Sequence, residues 1–276
     1  MTTEDFLSHE ILGHGAYLCL RRSGGGDTRE AAASVGALAS RLGLVNEFDP
    51  RGAPPSESIA FLRRVGATSA DVDDPGLLHA DAVIHVASKR ADAMTELCAE
   101  APRLLSRVAS VRLLRGVVRP KNYTSTAMNN WAYARAVVQR PGPAMPNAFI
   151  VPLNKTPEWW RKDWMERHTY FLPRYDEQGR MVNEGHALAT AAGIPCLLRR
   201  TYRSATEPAG AGDYEFVSYF ECADADVPIF HQVCAALRDT KRNPEWQFVR
   251  EGPTWHGRRV ESCEELFAPL PDESRR

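Results

Sequence analysis

Ala82-Val83-Ile84-His85-Val86-Ala87 is a run of small and β-branched side chains broken by one histidine, and the amphipathic stretch Ala91 to Ser106 follows it. The run has the length and composition of a buried strand, and the spacing after it predicts a helix. Val108 to Val118 reads as the returning strand. Upstream, Gly15 to Arg21 is a short apolar strand, Ser23-Gly24-Gly25-Gly26 breaks the chain, and Thr28 to Leu42 is an Ala-rich helix. Val45 to Ser58, with Asp49, Pro54 and Pro55, reads as a surface loop.

The same grammar returns later in the chain. Asn147 to Pro152, Cys196 to Tyr202 and Tyr214 to Glu221 read as strands, and Val227 to Arg238 reads as a helix. Ala82 to Val86 and its helix with Glu96-Leu97-Cys98 find a counterpart in Phe216-Val217-Ser218-Tyr219-Phe220 and its helix with Gln232-Val233-Cys234. The expected fold class is α+β: two fused ferredoxin-like halves with antiparallel sheets, of the dimeric α+β barrel type. The halves would cover residues 10–120 and 146–265. Residues 121–145, rich in Pro and Asn, would connect them, with Trp131 and Tyr133 suggesting that part of the connector packs.

With 276 residues the chain can bury one large core or two modest ones. A net charge of −1 gives no electrostatic reason to expect nucleic acid or an anionic membrane as partner, which leaves a small molecule. Met1 to Gly15 lacks the basic start and apolar run of an export signal, and no stretch reaches the roughly 18 apolar residues of a membrane helix. The expectation is a soluble cytoplasmic protein. The six cysteines are scattered without two-residue spacings and read as free thiols, not zinc ligands. The glycine run lacks the Lys-Ser/Thr ending of a phosphate loop and reads as a turn.

Three groups of residues invite chemistry. Trp159, Trp160 and Trp164 follow Thr156-Pro157, a plausible helix cap and first turn; by spacing alone they are core or interface residues. His186 lies among Gly185, Ala187 and Ala189, thirteen residues before Arg199. A histidine beside alanines is ordinarily a hydrogen-bonded or half-exposed side chain. Arg199 and Arg200 alternate along a strand, so one points inward if the other meets solvent. Composition alone leaves both as surface charges.

The run Ile150-Val151-Pro152-Leu153-Asn154-Lys155-Thr156-Pro157-Glu158-Trp159-Trp160, the pair Asn122-Tyr123, and the pattern from His186 through Arg199 to Phe220-Glu221 resemble the chlorite dismutase family. The resemblance implies a haem b protein that converts chlorite to chloride and dioxygen. His186 would be the axial iron ligand and Arg199 the catalytic cation on the open face. Asn122, Tyr123, Lys155, Trp159 and Trp160 would bind the cofactor, with Lys155 and Trp160 at a propionate edge. A homo-oligomer, pentamer or dimer, and a small oxyanion or organic substrate are implied. The alternatives are a peroxidase-like enzyme acting on a larger organic molecule and a non-catalytic haem carrier or sensor.

The chain departs from that pattern in three places. About a dozen extra residues lie between Trp160 and His186, which could form a lid or pocket wall and which supply His168 as a rival ligand. Where relatives place an acidic partner for the imidazole, this chain has Lys241-Arg242, so Asp239 or Glu245 would have to serve. The segment Gly252 to Val260 resembles the closing strand of the coproheme decarboxylase branch, but Val151 stands where that branch carries a tyrosine.

Overall fold

The computed structural model describes residues 11–23, 25–46, 57–65, 77, 79–119, 124, 145–204, 209 and 213–268. In the N-terminal half β1 (Gly13–Arg22) leads into α1 (Thr28–Arg41). The short β2 (Val45–Asn46) precedes β3 (Glu57–Arg64), β4 (Ala82–Ser88), α2 (Ala91–Leu105) and β5 (Ala109–Val118). The C-terminal half opens with β6 (Asn147–Lys155), followed by α3 (Pro157–Arg161), α4 (Trp164–Thr169) and a hairpin of β7 (Arg174–Tyr175) and β8 (Met181–Asn183). Then come α5 (Gly185–Ala189), β9 (Leu198–Arg203), β10 (Phe216–Cys222), α6 (Val227–Arg238), β11 (Val249–Glu251) and β12 (Trp255–Val260).

Eight strands run side by side in the order β10-β9-β5-β1-β4-β3-β12-β6, and β6 pairs back onto β10. The sheet therefore closes into a barrel. The halves share this sheet: β5 meets β9 through Val117 and Arg203, and β12 lies between β3 and β6. The reason is the edges. Each half alone would expose unpaired backbone groups on its outer strands, and closure satisfies them.

Strand alternation sorts side chains between the barrel's inside and its two helical covers. Ala16, Leu18 and Leu20 of β1 face α1 and α2 with Ile59, Phe61, Ile84 and Val86. Each large apolar residue so buried contributes roughly 1.5–3 kcal/mol. The Asp27 carboxylate caps α1 by accepting from the backbone N–H groups of Arg29 (2.8 Å) and Glu30 (3.2 Å). Inside the barrel, Tyr17 stacks on His85 with ring centroids 4.6 Å apart, and the Tyr202 ring meets Tyr17 edge-on. Gly15 is required there because a Cβ would lie 2.3 Å from the Tyr202 ring. The interior also holds an ion pair, Arg259 Nη2 to Glu221 Oε1 at 2.9 Å, and Arg259 donates to the Tyr219 hydroxyl at 3.2 Å.

Several expectations change. Val45 to Ser58 is not wholly a loop: Val45–Asn46 pairs in parallel with β3, which begins at Glu57, and residues 47–56 lie outside the described part. β3 itself is a buried strand that its place close after the turn formers Pro54 and Pro55 concealed. The strand expected from Cys196 starts at Leu198, because the N–H groups of Cys196 and Leu197 turn back to the Gly193 carbonyl. Of the connector, only Thr124 and Met145 are among the described residues, so the expected packing of Trp131 and Tyr133 lies outside them.

Candidate active site

On β6, β9 and β10 the outward-facing positions share one surface. Cross-strand pairs set Phe220 opposite Arg199, Ser218 opposite both Thr201 and Val151, and Phe216 opposite Leu153. This surface is the floor of a cleft of about 550 Å³, counting its open mouth, whose other wall carries His186, Leu237, Glu245 and Trp246. Most of the lining is apolar. The exceptions are His186, Arg199, Thr201, Ser218 and the Lys155–Glu245 pair, with Glu251 beyond.

His186 sits in the first turn of a five-residue helix, α5, too short to hold itself together. The chain supplies the missing bonds from two sides. The N–H groups of Glu184 and Gly185 donate to the Arg242 carbonyl, and those of His186 and Ala187 donate to the carbonyls of Tyr170 and Phe171. Gly185 has φ +62°, and a Cβ there would fall 2.4 Å from the Leu172 carbonyl oxygen. Only glycine fits. The Phe171 ring then stacks on the imidazole with centroids 4.9 Å apart.

The imidazole is held from behind by a carboxylate. Nδ1 of His186 bonds to Oε2 of Glu245, in the tight turn Pro244–Phe248, and Oε1 of Glu245 accepts from Lys155 Nζ at 2.6 Å. All three side chains are buried. A carboxylate can only accept, so Nδ1 carries the proton and the Nε2 lone pair faces the cleft. Arg199 Nη1 lies 3.4 Å from that nitrogen, with its guanidinium over the Phe220 ring.

Lys155 shows which force wins in this group. Burial pushes its ammonium below the usual lysine range, although Glu245 and Glu215 both pull the other way. Desolvation exceeds the attraction of the partners. The ammonium also lies 4.3 Å from the centre of the Trp159 ring.

The sequence-predicted residues separate accordingly. His186 and Arg199 come together at one cleft. Lys155, expected at a propionate edge, donates from Nζ to Glu245 behind the imidazole at 2.6 Å. Trp159 is fully buried against Tyr170 and Phe248 and does not line the cleft. Trp160 donates its indole N–H to Glu215 at 2.8 Å and stacks on Phe216. Asn122 and Tyr123 lie outside the described residues.

Of the two acidic residues that could serve the imidazole, Glu245 does, and Asp239 instead accepts backbone N–H bonds from Lys241 and Arg242. His168 is on α4 and does not line the cleft, nor do the hairpin residues of the insertion. Sequence reasoning missed Phe171, Glu215, Thr201 and Ser218. For the last two the outward parity shared with Arg199 and Phe220 was the available signal.

No protein-family model and no curated protein sequence matches the chain. Solved structures do. An arginine variant of chlorite dismutase from Candidatus Nitrospira defluvii superposes with a TM-score of 0.63 at 19% identity, covering 94% of this chain and 95% of that one. The enzyme from the same organism in complex with imidazole gives 0.63 and 19%, covering 94% of each chain. A tryptophan variant in complex with cyanide gives 0.61 and 20%, covering 96% of this chain and 98% of that one. The chain thus has the chlorite dismutase fold over nearly its whole length.

Proposed function

We propose that the chain is a haem b-dependent oxidoreductase of the chlorite dismutase type, in which His186 would hold the iron and Arg199 would be the catalytic cation. The observation that supports this most is the orientation of the imidazole. Its Nδ1 is pinned by Glu245, and its Nε2 lone pair is presented to an apolar cleft opposite a guanidinium. One nitrogen with a carboxylate behind it is the donor set that suits iron whose remaining ligands come from a macrocycle. A flat group held by Nε2 would displace the Arg199 guanidinium, which now lies 3.4 Å from that nitrogen. Bound haem would supply the redox chemistry that cleaves and forms bonds to oxygen.

The chain's own residues do the rest. Glu245 fixes the tautomer of His186 and strengthens it as a donor, and Lys155 keeps Glu245 ionised in a buried place. Arg199 stays charged at any working pH, so it attracts a small oxyanion and stabilises negative charge as a bond to oxygen breaks. Phe216, Phe220, Val151 and Leu153 keep the floor apolar and exclude water. The reading includes a homo-oligomeric protein in the cytoplasm acting on chlorite or a similar small oxyanion to give chloride and dioxygen.

Reconstitution with ferric haem tests it. The expected results are a five-coordinate or aquo ferric spectrum, dioxygen at an electrode on adding chlorite, and loss of stable haem binding in His186→Ala. Haem retained by His186→Ala with an unchanged spectrum would refute the ligand. Retained haem without dioxygen would refute the reaction and favour an organic substrate, and two protein axial ligands would favour a carrier.

A further inference from the structure

Thr201 and Ser218 face each other across β9 and β10, their hydroxyl oxygens 3.3 Å apart. Both line the cleft floor beside Arg199, and they are 2% and 4% exposed. A Thr–Ser pair across two strands is ordinarily satisfied by its own hydrogen bond. Here the arithmetic leaves something over. The two hydroxyls hold two protons, and one bond between them uses one. The second proton has no acceptor among the described residues, in a cleft whose neighbouring floor positions are Phe216, Phe220 and Val151. Apolar side chains at Thr201 and Ser218 would suit such a floor better, since a buried hydroxyl proton without an acceptor is destabilising.

We infer that Thr201 and Ser218 form, together with Arg199, a subsite for a small bent oxyanion with at least two oxygens. This rests on the proposed haem-site reading and adds residues that choose the substrate. Arg199 supplies the charge. The hydroxyl pair supplies a directional donor that a second oxygen can accept and that a ligand without oxygen cannot use. The subsite thereby favours chlorite-like or nitrite-like anions over halides and pseudohalides of similar charge. Thr201 and Ser218 are positioning residues, and Phe216 and Phe220 limit the anion's size.

The test compares haem-loaded wild type with Thr201→Val, Ser218→Ala and the double variant. Nitrite and cyanide affinities are read from the haem absorption band. The expected result is about tenfold weaker nitrite binding in the double variant with cyanide affinity unchanged within twofold. Unchanged nitrite binding, or equal weakening of both ligands, would overturn the subsite. Should the wild type fail to take haem, the haem reading fails by itself, and nitrite is then titrated into the haem-free protein while the backbone amide signals of Arg199, Thr201 and Ser218 are followed by NMR. Signal shifts that vanish in the double variant would support the subsite; no shifts in the wild type would overturn it.

Discussion

Replacing Lys155 by Met removes one charge from a pair in which both side chains are 2% exposed. The methionine fills nearly the same volume, so the cost is electrostatic more than steric. What remains is the Glu245 carboxylate, still buried and still bonded to His186 Nδ1, but without its cation. Breaking a buried pair from one side costs about 3–5 kcal/mol, or roughly two to four powers of ten in the folding equilibrium. The loss of the ammonium over Trp159 lies within that range. Pairing Lys155→Met with Glu245→Gln removes both charges while the amide oxygen still accepts from His186. Burial already outweighs attraction at Lys155. The double variant should therefore recover most of the loss and lie within about 1–2 kcal/mol of wild type. Urea unfolding followed by circular dichroism measures both, with equal slopes required for the comparison. A cost below about 1 kcal/mol for Lys155→Met, or a double variant no better than the single, would refute this account of the group.

Gly185→Ala meets both the positive φ and the Leu172 carbonyl. It should cost about 2–4 kcal/mol in urea unfolding and weaken haem binding, since His186 is the next residue. Gly15→Ala pushes a methyl group into the Tyr202 ring and should lower the thermal midpoint while leaving the His186 cleft intact; near-UV circular dichroism would register the disturbed tyrosines. His256 is pushed down to about 4, first by burial and then by His231 and Arg258. Its folded-state pKa lies below the unfolded value near 6.5, so the folded protein binds fewer protons, and stability falls as pH drops from about 6.5 toward 4. After allowance for its half-buried position the loss is about 1–2 kcal/mol, absent in His256→Gln; a pH profile of the urea midpoint identical in both proteins would contradict it.

The elements were largely legible where an apolar run stood between clear breaks. β1, β4, β5 and β10 announce themselves by apolar runs between breaks, and the helix Val227–Arg238 has the bounds its sequence suggests. β3 was not legible, because Glu57-Ser58-Ile59-Ala60-Phe61-Leu62 follows closely on the turn formers Pro54 and Pro55 and carries only two β-branched or aromatic residues. The candidate site was legible in its two ends. His186 and Arg199 were picked out by the family resemblance, whereas Glu245 is 59 residues from His186 and 90 from Lys155, so no local pattern joins them. The Lys155–Glu245 bond was not legible for the same reason: sequence showed a cation near tryptophans, and only the fold showed the carboxylate that engages it.

By itself the sequence determined the strand and helix types, because period and turn chemistry are local properties of the chain. It also determined that Arg199, Thr201 and any strand neighbour two residues away share a face. Only the tertiary structure decided which strands join the halves in the expected barrel, since pairing of β12 with β3 and of β5 with β9 depends on which edges remain unpaired after each half folds. It alone aimed the Nε2 of His186 into the cleft, because tautomer and ring direction are set by a carboxylate that arrives from a distant turn.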